Sequence, residues 1–324
     1  MAAGLLVTSV AYADEEAMAE EEMMAEEEMM AEEEMMEEEM MAAEPVSVGL
    51  SGSARVVAGA STDDTSPMLA EYFELTVSGS ATMDNGLTFG VSATSEQGGT
   101  FFYDRSITIG GAFGDIQLGD TRSARGQMRI ASAGATSSFG VNGPYQGGVA
   151  QAVGTNNSGA GIDARDTKII YKSPSVGGIQ LGLSYAPDGT VSEQFSVAAT
   201  FSQALGDASV AVNAGYEQGD ASGTSVNDLN AGASISIDDI TLSGGMRASD
   251  DGTNETMQTD IGASLAMGPL SVSAGWGSTD TTDMYALGAA YPLGEGVQLD
   301  TQLDFGDNDG DEWVQFMAGV AISF

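Results

Sequence analysis

Apolar and polar side chains alternate along most of the chain from Val46 onward. The pattern is clearest in the final segment, where every second residue is apolar and those between are mostly small or polar. Because neighbouring side chains of a strand point to opposite faces, this period of two predicts a β-strand with one apolar face. The apolar positions of the final segment are Val314, Phe316, Ala318, Val320, Ile322 and Phe324.

The same alternation recurs in about sixteen segments of about ten residues each, the even number expected of a bacterial membrane barrel. Asp84-Asn85-Gly86, between two such segments, is typical of a hairpin turn. Short connections (238–239, 268–269, 294–296) are interleaved with longer polar ones (249–256, 306–312). A final strand that ends on Phe is typical of a barrel whose last strand pairs with the first. The pattern therefore predicts an all-β protein, a transmembrane antiparallel β-barrel of about 16 strands, over residues 46–324.

The two faces of the predicted strands differ in chemistry. The face opposite the apolar one carries Gln180, Ser184, Thr241, Ser243, Arg247, Gln298, Asp300, Gln302 and Asp304, and Arg55 has the same parity. Such a face predicts a wet interior, and a barrel of about sixteen strands is wide enough for an aqueous channel. Aromatic residues are expected in two bands at the membrane interfaces. One band would hold Tyr72, Tyr185, Tyr216, Trp276 and Trp313, and the other Tyr171, Phe201, Tyr291 and Phe324.

The first 45 residues follow a different pattern. Residues 1–13 combine an apolar stretch with Ala11-Tyr12-Ala13, a signal-peptide cleavage pattern, but lack a basic start. They are interpreted as a signal-peptide remnant whose true start lies upstream; the alternative is a buried strand. Residues 14–45 form an acidic Met/Glu-rich low-complexity arm built on AEEEMM, which Pro45 ends. A six-residue step turns successive Met pairs by about 120° around a helix, so no apolar stripe forms and a mobile, partly helical arm is expected. Cu(I) binding by the thioethers is the alternative.

Composition removes several classes of function. The chain contains no Cys and no His, which excludes thiol nucleophiles, disulfides and imidazole bases, so no enzyme is expected. With 48 acidic against 9 basic residues the formal net charge is -39, which argues against nucleic acid as a partner. The 44 Gly and 7 Pro suit short strands with tight turns.

Two runs carry a resemblance to a known family. These are FGDIQLG at 113–119 and YKSPSVGGIQLGLSY at 171–185, and together with Phe324 they resemble the general (trimeric) porins of the Gram-negative outer membrane. The resemblance spans residues 46–324. It implies a barrel in the cell outer membrane that forms a water-filled channel for passive diffusion of small hydrophilic solutes and ions. Its implied partners are outer-membrane lipids and two further copies in a homotrimer. It also implies an inward-folded third loop, here residues 121–163, that narrows the pore.

The resemblance places basic residues on the pore wall opposite acids on the loop. The implied wall cations are Arg55, Arg122, Lys168 and Lys172, and Arg247 joins them by its parity. Residues 122–162 contain no carboxylate, and Asp120 stands where porins often have Arg, so the ion preference stays open. The candidate pore acids are Asp120, Asp163, Asp166, Asp300 and Asp304. The alternative is that the cations only pin the loop by pairing with acids, and both roles can coexist.

One acidic segment suggests a different ligand. Asp307, Asp309, Asp311 and Glu312 offer oxygen ligands to Ca²⁺ at an extracellular loop, although Gly310 is not placed as in an EF-hand. The alternative is that these acidic residues only form a solvated loop tip. No other cofactor is expected. The competing hypothesis for the whole chain is a Ca-stabilised cell-surface adhesin or structural β protein, built as a sandwich or solenoid.

Overall fold

The computed structural model describes residues 46–62, 67–97, 102–130, 165–308 and 310–324. Residues 46–81 and 86–324 belong to one compact unit. The predicted signal remnant and acidic arm (1–45), loop residues 131–164 with Asp163, and Asp309 all lie outside the described residues. The described part of the chain holds sixteen strands, as the alternation predicts.

Strands β1 to β8 are Ser47–Ser61, Met68–Thr82, Thr88–Glu96, Asp104–Gly111, Gly114–Thr121, Asp166–Lys172, Ile179–Ala186 and Ser192–Leu205. Strands β9 to β16 are Ala208–Ala221, Thr224–Ile237, Ile240–Asp250, Glu255–Met267, Leu270–Ser278, Thr282–Gly294, Val297–Asn308 and Asp311–Ser323. One short helix, α1 (Ala124–Gln127), follows β5. In the parts of the chain listed above, no helix has the length and apolar character needed to cross a membrane.

Each strand pairs with its neighbours in the chain, and β16 pairs antiparallel with β1, which closes the barrel. The closing register matches Val56 to Val320 and Ala54 to Ile322, and Phe324 exchanges backbone hydrogen bonds with Gly52. The last strand therefore pairs with the first as predicted. A closed cylinder satisfies the backbone donors and acceptors without an exposed edge. It also rules out the sandwich or solenoid on which the adhesin hypothesis depends.

The two ends of the barrel differ in their connections. Strands β4 and β5, β8 and β9, β10 and β11, and β12 and β13 are joined by the two-residue turns 112–113, 206–207, 238–239 and 268–269 on one side, here called the turn rim. The opposite side, the loop rim, carries the longer connections 122–165, 187–191 and 251–254. Two loop-rim connections, 222–223 and 309–310, are as short as a turn, and one turn-rim connection, 173–178, is longer. The predicted alternation of short and long connections is thus confirmed in part. The predicted longer connection 306–312 is wrong, because β15 extends to Asn308 and β16 begins at Asp311.

The outer face of the barrel is apolar and its inner face is polar. Exposed outward side chains include Leu181, Leu229 and Phe316. Buried inward side chains, here called lumenal, include Gln194, Asn230 and many other polar groups. This distribution reverses that of a soluble barrel and is what a lipid environment requires.

Two of the aromatic residues predicted for the band at the membrane interface lie inside the barrel instead. Trp313 is 2% exposed and packs over Gly306 inside the barrel, and Tyr72 packs inside against Val57 and Met317. Both have lumenal parity on their strands, so the interface band does not include them. Tyr185 and Trp276 do share the parity of outward residues near the loop rim.

Candidate functional site in the barrel lumen

The chain leaves β5 through a capped helical turn. Ser123 has extended backbone angles, φ -61° and ψ 170°, and its Oγ accepts a hydrogen bond from the Gly126 N–H at 3.2 Å. This is an N-cap, which satisfies one of the free donors at a helix start. It begins α1, which ends at Gln127.

The same segment docks onto the lumenal wall. The Ala124 N–H donates to Ser184 Oγ at 3.0 Å and the Arg125 N–H donates to Ser196 Oγ at 2.9 Å. Farther along, the Ile130 N–H donates to Asn213 Oδ1 at 3.2 Å. The serine and asparagine side chains project inward from β7, β8 and β9. Residues 122–130 therefore fold into the barrel rather than over its rim.

A buried network of charges fixes this segment. Arg125 Nε lies 2.8 Å from Glu217 Oε2, and its Nη2 lies 3.1 Å from Asp228 Oδ2. Arg247 donates to the same Asp228 through two nitrogens, each at 2.6 Å. Ser123 Oγ also donates to Glu217 at 2.9 Å. All four charged side chains are at most 2% exposed. Two bases face two acids, so the network is formally neutral.

The neighbouring bases of β6 also have partners. Lys168 and Lys172 are lumenal by parity, since Ile169 and Tyr171 between them are exposed outward. Lys172 lies opposite Asp115 in the register of β5 and β6, and Asp115 acts on it electrostatically. Lys168 likewise has an interaction partner.

Two more bases, Arg55 on β1 and Arg165 just before β6, contact aromatic rings. The guanidinium carbon of Arg55 lies 5.7 Å from the centre of the Tyr72 ring, and the Tyr72 hydroxyl donates to Glu74 at 2.9 Å. Arg165 lies 4.5 Å from the Tyr103 ring centre and pairs with Asp104 at 3.2 Å. These are cation–π contacts, with a carboxylate close to each.

Two acids of β15, Asp300 and Asp304, have no basic partner among the described residues. Gln298 donates to Asp300 Oδ1 and Gln302 donates to Asp304 Oδ1, each at 2.7 Å. The second oxygen of each carboxylate, Oδ2, has no hydrogen-bond partner among the described residues. Asp300 is 1% exposed and Asp304 is 0% exposed.

The acids of β15 have small neighbours. Opposite them in register on β14 lie Ala286 and Ala290, with Gly288 between, and Gly319 of β16 lies beside Asp300. In the ring of sixteen strands, β15 is four to six strands away from β9, β10 and β11, which carry Glu217, Asp228 and Arg247. The β15 acids and the Arg125 network therefore occupy separate parts of the lumenal wall.

Most predicted pore residues do lie in the lumen. Six side chains project inward as expected: Arg55, Lys168, Lys172, Arg247, Asp300 and Asp304. Asp166 is at the loop rim, where it accepts hydrogen bonds from the backbone N–H and the hydroxyl of Thr190. Arg122 follows β5, and its carbonyl oxygen accepts from Gln127 Nε2 at 2.9 Å. Their effect on ion passage stays a prediction.

Asp120 is a correction. Its side chain has the outward parity of Ile116 and Leu118, and it bonds Arg105 and Thr167 on neighbouring strands. Arg105 has 59% of its side chain exposed on the outer face. Asp120 is therefore not a lumenal acid, because the period of two places it on the lipid side of the barrel.

The sequence reasoning missed Glu217 and Asp228. Both share the parity of polar neighbours, Asn213 on β9 and Asn230 on β10, and that signal could have found them as lumenal. Their pairing with Arg125 spans 92 and 103 residues, which no local pattern reveals.

The predicted Ca²⁺ ligands do not form a cluster in the described part of the chain. No group of three or more acidic side chains able to hold a metal occurs there. Asp307 instead accepts a hydrogen bond from the Gly310 N–H at 2.7 Å, which shapes the turn between β15 and β16. Asp309 lies outside the described residues, so the Ca²⁺ site of Asp307, Asp309, Asp311 and Glu312 stays a prediction.

Comparisons with known proteins agree with this architecture. The barrel is similar to the anion-selective porin from Comamonas acidovorans, with a TM-score of 0.67 and 19% identity over 86% of this chain and 100% of that one. It is also similar to the trimer form of OmpT, an outer membrane protein of Vibrio cholerae (TM-score 0.65, 13% identity, 87% and 100% covered). A mutant of the Rh. blastica porin matches with a TM-score of 0.61 and 19% identity, covering 86% and 100%. Among curated proteins none matches this chain.

A family model described as Gram-negative porin matches residues 1–311. That match extends over nearly the whole chain, and the closed sixteen-stranded barrel with its apolar outside and polar inside fits it. The chain therefore belongs to the Gram-negative porin family, and its barrel is an outer-membrane channel.

Proposed function

We propose that small hydrophilic solutes and ions diffuse passively through the lumen of this barrel, without catalysis and without a bound cofactor. One observation carries the proposal. Charged and amide side chains line the inside of a closed cylinder whose outside is apolar, as a pore in lipid requires. The absence of Cys and His from the sequence fits a protein that performs no chemistry.

The narrow part of the pore is assigned to the segment after β5. Residues 122–130 lie against the lumenal wall and are held there by Arg125, Glu217 and Asp228. The continuation of this loop, through Asp163, is proposed to complete the constriction. Selection by size would follow from how far the loop reaches across the lumen.

The assembly and location are also proposed in finer detail. The apolar outer face would contact outer-membrane lipids, and residues 1–13 would direct export. A homotrimer is the proposed assembly, supported by the trimer form described for the V. cholerae neighbour.

Planar-bilayer recording tests the proposal. Purified protein that migrates as a compact form on a gel before heating should insert and give stepwise conductance, in groups of three steps if three pores insert together. The same preparation unfolded by heat is the control. Properly folded protein that inserts and gives no steps would refute a diffusion pore.

A second test uses the two tryptophans. Trp276 points outward and Trp313 points into the lumen. A lipid carrying bromine on its acyl chains should quench the fluorescence of a Trp313→Phe variant, which keeps Trp276, and should spare a Trp276→Phe variant. Equal quenching of both variants would contradict the assigned inside and outside.

A further inference from the structure

The lumenal charges differ in how completely they are matched. Arg125 and Arg247 are paired with Glu217 and Asp228, so this side contributes no net formal charge. The charges of these residues pair with one another and hold residues 122–130 in place.

Three other bases, in the lumen or beside it, also have an acid nearby. Lys172 lies opposite Asp115, and Arg165 pairs with Asp104. Arg55 lies over the Tyr72 ring, close to Glu74. The acids beside these three bases reduce the positive charge that could attract an anion.

The acids of β15 have no such match. In the described part of the chain their hydrogen bonds come from neutral glutamine amides, and Asp300 Oδ2 and Asp304 Oδ2 accept none. Both carboxylates are nine-tenths buried or more, and their β14 neighbours are small. A carboxylate withdrawn from water without a counter-charge is costly, and a passing cation relieves that cost.

From this imbalance we propose that the pore prefers cations, and that Asp300 and Asp304 set the preference. The inference rests on the proposed pore function. The two acids are four residues apart on one strand face, a separation of about 13 Å. Both carboxylates are buried in the wall, so they would attract a small inorganic or ammonium cation through their field and not by direct contact, which lets the cation enter and still leave. Low-dielectric walls strengthen the field of such charges inside a narrow lumen.

The reversal potential under a KCl gradient at pH 8 tests this directly. Wild-type protein should show a potential of the sign that indicates K⁺ over Cl⁻. An Asp300→Asn/Asp304→Asn variant should lose most of that preference while its conductance steps persist. Raising the salt to 1 M should reduce the wild-type preference, because the Debye length falls to about 3 Å.

A second variant guards against misfolding of the first. Gln302→Lys keeps both acids and places a positive charge between them on the same face, so it should also move the potential toward Cl⁻. Asp283→Asn is the matched control, since Asp283 is exposed on the outer face of β14 and its loss should leave the potential unchanged.

The outcomes separate the two proposals. Conductance steps with no wild-type K⁺ preference, or with potentials that neither β15 variant changes, would overturn the cation preference and leave the pore intact. An absence of steps from folded wild-type protein would overturn the pore, and the preference with it.

Discussion

The lumenal wall around β9 to β11 and the wall of β15 both bury carboxylates, but they use them differently. Glu217 and Asp228 each bind an arginine, and through Arg125 they hold a segment of the chain inside the barrel. Within the described residues, Asp300 and Asp304 bind only the amides of their own strand. The first pair of acids therefore holds residues 122–130 in place, whereas the second pair would supply the negative charge of the proposed cation preference.

The two pairs of acids therefore contribute differently to the free energy of unfolding. A buried ion pair recovers its desolvation cost through its partner, so removing one partner is destabilising. An unmatched buried carboxylate costs stability in the folded protein from the outset. Retaining two of them on one strand is typical of a functional position rather than of a packing requirement.

The largest expected effect comes from removing the arginine that links the loop segment to the wall. Arg125→Ala leaves Glu217 without its arginine and removes one of two arginines from Asp228, so we expect the free energy of unfolding to fall by about 3–5 kcal/mol. Denaturant titration in detergent micelles measures this. Open-channel current should also become noisier, because residues 122–130 lose their anchor.

Arg105→Ala provides the control for that change. Arg105 also bonds an aspartate, Asp120, but 59% of its side chain is exposed on the outer face. Arg105 and Asp120 lie at the loop-rim ends of β4 and β5, beside the polar headgroup region. Exposed pairs in polar surroundings contribute about 0–1 kcal/mol, so this variant should stay close to wild type with quiet channels. Similar losses from both variants would show that burial does not distinguish the two pairs.

Asp228→Asn would leave the charges of the β9 to β11 wall unmatched, as those of the β15 wall already are. The variant removes the acid that two arginines share, and leaves the network with an excess positive charge. We expect a loss of about 3 kcal/mol, since the amide oxygen still accepts one hydrogen bond. The reversal potential should also move toward Cl⁻.

Asn213→Asp is the charge-matched counterpart, because Asn213 lies in the lumen on β9 and binds the Ile130 N–H. Added negative charge there should move the potential toward K⁺. If both substitutions moved it in the same direction, charge matching could not explain the difference between the walls.

The sequence alone was sufficient for the barrel and its two faces. Alternation in segments such as 314–324 separates the lipid side from the lumen without any knowledge of pairing, because strand geometry fixes the parity. The lumenal placement of Arg247, Asp300 and Asp304 follows from parity in the same way. Applied strictly, parity would also have placed Asp120 outside and Trp313 inside.

The partners of the lumenal charges could not be predicted. Parity tells which face a residue occupies but not which distant residue is beside it, and Arg125 meets Glu217 only because α1 turns inward after β5. The family resemblance gave positions for the wall cations, but it did not show which acid lies beside each of them. The imbalance between the two walls becomes visible only when each contact is known.

A steric substitution next to Arg125 tests how that side chain anchors residues 122–130, with no change in charge. A Cβ added at Gly215 would lie 2.7 Å from Arg125 Cγ and 2.8 Å from Asn230 Oδ1. Gly215→Ala should therefore displace Arg125 and cost about 1–3 kcal/mol. Gly294→Ala on β14 is the control, since a Cβ there meets nothing within 4 Å. Equal denaturation curves for Gly215→Ala and wild type would show that the Arg125 side chain is not confined there.

The smallest expected change keeps the charge of the network and alters only its geometry. Arg247 donates through Nε and Nη2 to the two oxygens of Asp228, an arrangement that a lysine ammonium cannot reproduce. Arg247→Lys should cost about 1.5 kcal/mol, the value of one hydrogen bond to a charged group. Because the two bases and two acids remain, the reversal potential should match wild type within error. A changed potential with unchanged stability would mean that the network's geometry, rather than the unmatched acids of β15, determines which ion passes.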